Sequence, residues 1–268
     1  MRALPRLLIN TADIELWPAD LLRARDSHHQ RALALARWVL RRKSDGRYLA
    51  AALDQGLVEL LPRWQAGLAA DAALRALASA PVLRGERLPR AHALPVHGLE
   101  ARLAGLGLDA DAYAGRTGLA LVAEPAWLAF AGHDRHARPL WLERDAALAW
   151  QRMQAAARDD DIWLESVSGY RSHAYQLGIF ARKRARGLHV QDILAVNAAP
   201  GFSEHHSGQA LDISAPGEPS AEESFEHTTA FAWLQEHAAT HGFAMSYPRD
   251  NPHGIVYEPW HWRYRAAA

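Results

Sequence analysis

The chain of 268 residues contains no cysteine. Disulfides, thiolate metal sites and a cysteine nucleophile are therefore excluded, and any metal ion must be held by His, Asp or Glu. Lysine is nearly absent: Lys43 and Lys183 stand alone among many arginines, and no function follows from that bias. There is no long apolar run. The longest, GLALVAEPAWLAFAG at 118–132, is broken by Glu124 and Pro125 and falls short of the roughly 20 residues that span a bilayer, so no membrane span is expected. Net charge is lacking too. Thirty basic residues balance thirty acidic ones, which removes any global pull toward nucleic acid or an anionic membrane. At the amino terminus, MRALPRLLINTADIELWPADLL meets Asn10, Asp13 and Glu15 too soon to form a signal-peptide core. A cytoplasmic location is expected on that ground, with the periplasm or cell envelope as the alternative.

What is present is a chain 49% hydrophobic, enough to fill the core of one large or two small domains. Residues 19–80 carry Ala-, Leu- and Arg-rich runs such as HHQRALALARWVLRR, where Leu33, Ala36, Arg37 and Leu40 recur at helical spacing. Pro81, Pro89 and Pro95, with Gly85 and Gly98, punctuate 81–98 and suggest a linker. The expected organisation is a mainly helical region over 1–100 and a second domain over 101–268.

In that second part, LERDAALAWQRMQAAA places Leu142, Ala146, Trp150 and Met153 on one helical face. WLESVSGYR reads as a strand running into a turn, and the following helix has Ser172 as its N-cap and Gly187 as its stop. A short helix near DILAVNA, a Pro-Gly loop at 200–201, a strand at ALDIS, a helix near TTAFAWLQEHAATHG and two β-like stretches, FAMSY and GIVYEPWHWRY, follow. Strands and helices mix without βαβ alternation, so the expected fold is α+β, with a small, largely antiparallel sheet flanked by helices. The cationic run ARKRARG at 181–187 is accounted for by the favourable field at a helix C-terminus; nucleic-acid binding is not expected.

Zinc hydrolysis needs about three protein ligands, an open position and one carboxylate off the metal to act as base. SEHHSGQALDIS offers His205, His206 and Asp212, and VYEPWHWRY offers Glu258 and His261. Strand alternation puts Asp212 on the face opposite Leu211 and Ile213, and His261 opposite Trp260 and Trp262. It does not choose between His205 and His206, because Ser207 and Gly208 turn the chain before the strand begins.

These residues resemble the VanY-type D-alanyl-D-alanine carboxypeptidases, within the zinc peptidases that share a fold with hedgehog signalling domains. S-x-H-x-x-G-x-A-x-D fits Ser203, His205, Gly208, Ala210 and Asp212, and E-x-W-H fits Glu258, Trp260 and His261. S-G-Y-R-S followed by Gln fits Ser168 to Ser172 and Gln176. The resemblance covers roughly residues 110–264. It implies that His205, Asp212 and His261 bind zinc, that Glu258 is the catalytic base, and that Arg171 holds a carbonyl oxygen or carboxylate. It further implies that Ser203, Gln176 and Tyr170 bind the peptide, leaving His206 a bystander. The implied substrate is a peptidoglycan stem peptide or a D-Ala-D-Ala-ended precursor, from which a C-terminal D-alanine is removed. D,D-dipeptidase, L,D-carboxypeptidase and endopeptidase activities are the alternatives within the chemistry, and a zinc-bearing wall-peptide binding module is the alternative outside it. Oligomeric state is left open.

Overall fold

A computed structural model describes residues 6–79, 90–96 and 98–265. The chain begins as a meander of strands β1 (Leu7–Asn10), β2 (Ile14–Pro18), β3 (Trp38–Arg42), β4 (Tyr48–Leu53) and β5 (Gly56–Glu59). Helix α1 (Ser27–Leu35) lies between β2 and β3, and α2 (Leu68–Ser79) follows β5. Helices α3 (Leu99–Ala104) and α4 (Ala110–Thr117) lead to the hairpin of β6 (Trp127–His133) and β7 (Pro139–Leu142). Then come α5 (Arg144–Asp159), β8 (Glu165–Ser168), α6 (His173–Ala185), α7 (Val190–Ala195), β9 (Ala210–Ser214), α8 (Thr229–His237), β10 (Phe243–Met245) and β11 (His261–Tyr264).

Among the described residues the strands form two antiparallel sheets, ordered β5-β4-β3-β2-β1-β6-β7 and β10-β11-β9-β8. The α+β class with antiparallel pairing is as expected. The mainly helical account of residues 1–100 is not: five strands occupy this region, and only 28–35 of the HHQRALALARWVLRR run is helical. Helix α1 stops where Ala36 adopts an extended backbone, and Val39 and Leu40 enter a strand core. The Ala-rich β4 is a strand because its small side chains at Ala50 and Ala51 are fully buried against neighbours, a case of packing overriding intrinsic propensity. Short Asp-Gly-type turns at Asp45-Gly46 and Asp54-Gln55-Gly56 close the two hairpins.

The expected linker at 81–98 lies largely outside the described residues. A boundary near residue 100 would divide one sheet, because β1 pairs with β6, with buried Leu8 opposite buried Leu128. In the C-terminal half, the apolar face of α5 (Ala146, Trp150, Met153) is buried against Leu211, Ile213, Leu234 and Trp262. Each large side chain buried there contributes about 1.5–3 kcal/mol. That packing seats the four-stranded sheet, whose centre is the β9–β11 pair.

Candidate metal and catalytic site

Three elements converge at the end of this sheet. His205 lies on the short helical turn Glu204–Ser207, which Gly208 ends with φ +72°. A Cβ at Gly208 would sit 2.8 Å from the Glu143 backbone nitrogen, so glycine is required both for the turn and for close approach to the β7–α5 junction. Asp212 lies on β9 and His261 begins β11, and the two residues are direct cross-strand partners.

His205, Asp212 and His261 are all buried, with one ligand atom of each within 4.8 Å of the others. Asp212 Oδ1 is 3.3 Å from His205 Nε2 and 3.2 Å from His261 Nδ1. Ligands about 2.0–2.1 Å from a tetrahedral zinc ion stand roughly 3.3–3.4 Å apart, so the donor spacing fits that metal. The tautomers fit as well. His205 Nδ1 is 2.7 Å from the Gly169 carbonyl oxygen, an acceptor that only an N–H can meet, which leaves the Nε2 lone pair facing Asp212. His261 Nε2 donates to Glu204 Oε2 at 2.9 Å, which turns Nδ1 toward the same point. Outer partners of this kind hold metal-binding imidazoles in one tautomer and orientation.

The electrostatics favour a cation. Burial, then the Arg171 charge, pushes His205 down to about 4, keeping it neutral. Burial also disfavours charge on His261, but hydrogen bonds to Asp212 and Glu204 outweigh it and pull the ring up to about 10, so a metal ion bound at Nδ1 would take the place of a proton there. Burial pushes the Asp212 carboxyl up, and the surrounding His205 and Arg171 more than reverse this, so it is ionised. Arg171 Nη2 lies 2.6 Å from both His205 Nε2 and Asp212 Oδ2. Since His205 Nε2 has one lone pair, the guanidinium and a metal ion compete for it.

Beside the triad is a cleft of about 300 Å³ whose lining includes Arg171, Gln176, Ser203, Tyr247, Glu258 and Trp260. Glu258 Oε2 is 3.9 Å from His261 Nδ1. Burial, reinforced by Asp212 and Glu204 against the opposing His261 and Arg171, raises its carboxyl to about 7. Gln176 donates to the Ala198 carbonyl at 3.0 Å, while its buried Oε1 has no hydrogen-bond partner among the described residues.

Tyr170 does not join this group. Its hydroxyl turns the other way, donating to Glu124 and accepting from Asn10 Nδ2 at 2.8 Å. Its place is structural, because those bonds tie the turn after β8 to β1 and Glu124, whereas Arg171 reaches His205 and Asp212. His206 is fully buried. Its Nδ1 donates to the Arg171 carbonyl at 2.7 Å and its Nε2 accepts from the Gly201 backbone at 3.0 Å, so it ties the Arg171 turn to the Pro-Gly loop.

The sequence reading missed Glu204, Glu124 and Tyr247. Glu204 bridges His261 Nε2 and Arg263 Nη1, at 2.9 and 2.8 Å; a carboxylate adjoining a candidate ligand was its available signal. Glu124 accepts from Lys43, Tyr170 and the His173 backbone N–H, a convergence with no local signature. The Tyr247 ring packs tilted against that of His261, with centroids 4.8 Å apart.

The family model described as VanY, D-alanyl-D-alanine carboxypeptidase, matches residues 139–267. VanXYC of Enterococcus gallinarum, a bifunctional D-Ala-D-Ala dipeptidase and D-Ala-D-Ala carboxypeptidase, is 30% identical over 149 residues, which are 53% of this chain and 75% of that protein. The chain belongs to the VanY family. The relative named putative carboxypeptidase YodJ, of Bacillus subtilis (strain 168), is 38% identical over 128 residues, 46% of each chain, so the match spans less than half of that relative's length. Among solved structures, a VanY D,D-pentapeptidase mutant in complex with Zn(II) is 32% identical, with 47% of this chain and 73% of that one covered and a TM-score of 0.39. The LdcB LD-carboxypeptidase is 35% identical, with 46% and 59% covered and a TM-score of 0.44. All these matches cover about half of this chain.

Proposed function

We propose that this chain is a zinc-dependent carboxypeptidase that removes the C-terminal D-alanine from peptidoglycan-type peptides. The observation that carries the reading is the inward-facing donor set of His205, Asp212 and His261 beside a half-buried Glu258 whose carboxyl is raised to about 7. His205, Asp212 and His261 would hold a zinc ion, which would supply Lewis acidity toward a peptide carbonyl and lower the pKa of bound water.

The remaining work belongs to the chain. Glu258, with its carboxyl at about 7, is matched both to take a proton from the attacking water and to return one to the leaving amine. Arg171 supplies positive charge where the carbonyl oxygen becomes negative. The unpartnered Gln176 Oε1 offers an acceptor to a peptide N–H, and Ser203 offers a hydroxyl at the cleft wall. Glu204 and the Gly169 carbonyl keep the two imidazoles aimed inward. The family membership and the D-Ala-D-Ala activities of VanXYC support the choice of substrate class.

The test is release of D-alanine from stem peptides ending in D-Ala-D-Ala by zinc-loaded protein, with Glu258→Gln in parallel. The variant should retain its metal and lose about 10²–10⁴-fold in kcat. Undiminished turnover in the variant, or no D-alanine released by the wild type, would overturn the proposal.

A further inference from the structure

One cation in the cleft has no assigned task. Lys183 is in the last turn of α6, on the helical face that also carries Gln176 and the fully buried Phe180, at spacings of seven and three residues. Arg182, Arg184 and Arg186 beside it are exposed and suffice to complement the helix C-terminus. Lys183 instead lines the cleft together with Asn197 and Val196. Among the described residues, no acid lies within ion-pair distance of its ammonium, although most other partly buried cations of this protein have such a partner. Burial, together with the Arg171 and Arg186 charges, lowers its pKa, as expected of a cation without a compensating acid.

The two carboxylates that line the cleft have other duties: Asp212 is held by His205, His261 and Arg171, and Glu258 stands beside His261. A long positive side chain that is drawn into a substrate cleft and left unpaired there is complementary to an anion arriving with the substrate. Its position says which anion. Lys183 is seven residues beyond Gln176 on one face of α6, about 10 Å along the helix axis, which is the span of about three extended peptide residues. A carboxypeptidase substrate has a single residue beyond the scissile bond, so a group two or three residues away from the one that Gln176 binds lies on the amino side.

We infer that Lys183 is a specificity residue for a carboxylate borne by the peptide two or three residues on the amino side of the scissile bond. It favours stem peptides whose internal residue carries a side-chain carboxylate over those carrying an ammonium or an amide. The inference rests on the carboxypeptidase reading above and names the substrate class within it.

The experiment measures kcat/KM for peptides ending in D-Ala-D-Ala that differ only at that internal position: carboxylate, carboxamide or ammonium. Wild type, Lys183→Met and Lys183→Glu are compared, with zinc loaded in each. Wild type should prefer carboxylate over carboxamide by about tenfold, the scale of a charge-assisted hydrogen bond, with ammonium the poorest. The carboxylate-to-carboxamide ratio should fall near one in Lys183→Met, and Lys183→Glu should favour ammonium; ratios are independent of the folded fraction. Equal rates on all three peptides in wild type, or a ratio unmoved by Lys183→Met, would overturn this inference while leaving the carboxypeptidase reading intact. If wild type hydrolyses none of the peptides, the carboxypeptidase reading falls and this inference falls with it.

Discussion

Replacing Glu124 by Gln tests how the amino-terminal strands support the site. Glu124 is buried, and burial alone pushes its carboxyl up. The Lys43 and His173 charges, with hydrogen bonds from Lys43 and Tyr170, outweigh burial and bring it from 4.5 down to about 2. That displacement corresponds to about 3 kcal/mol of folding stability. Because the folded pKa is depressed, this stability is fully present above about pH 4.5 and is lost as pH falls from there toward 2. A carboxamide cannot titrate, so the Glu124→Gln variant should lack this contribution to acid sensitivity. It also leaves the Lys43 ammonium, whose side chain is 1% exposed, without its counter-charge, a loss of about 3–5 kcal/mol at pH 7. Urea unfolding at pH 7, 4.5 and 2.5 measures both effects. Lys43→Met combined with Glu124→Gln should recover most of the neutral-pH loss, since apolar replacement of a buried pair is close to neutral. Parallel stability curves for wild type and Glu124→Gln between pH 4.5 and 2.5 would show that Glu124 is not the titrating group. A double variant no more stable than Glu124→Gln would refute the buried-charge argument.

Glu204→Ala removes the acceptor of His261 Nε2 and should weaken zinc affinity by 10–100-fold, as read by competition with a chromophoric chelator; wild-type affinity would show that the carboxylate does not aim the ring. His205→Ala should abolish stoichiometric zinc, whereas His206→Ala should keep the metal and lower the melting temperature, because it frees the Arg171 carbonyl and the Gly201 N–H. Metal analysis and thermal unfolding of both variants check this. A chain lacking residues 1–100 should be insoluble or unfolded by circular dichroism, since β6 loses its β1 partner and Glu124 loses Lys43; a soluble, active fragment would contradict the shared sheet.

The candidate ligand set came from the motifs that carry the family resemblance, and strand alternation supplied only the shared face of Asp212 and His261, which pair across β9 and β11. The choice between His205 and His206 was not legible from spacing, because both are buried and each Nδ1 meets a backbone carbonyl, of Gly169 and of Arg171 respectively. Only the direction of the remaining nitrogen separates them. Tyr170 was misplaced for a similar reason: a turn motif names the residues but not which side each one takes. The Lys43–Glu124 pair spans 81 positions, beyond the reach of any periodicity. The amino-terminal strands were missed because alanine and arginine, good helix formers in isolation, fill β3 and β4, where burial decides.

The position of β1 in its sheet bears on how the protein is made. Its partners are β2, which follows directly across a short turn, and β6, which begins at Trp127. During synthesis at about 5–20 residues per second, the β6 side of Leu7–Asn10 waits on the order of 6–25 seconds for its partner to be translated. Through that interval one edge of a short apolar strand lacks its partner, an exposure of the kind that invites wrong pairing before the metal ligands can meet.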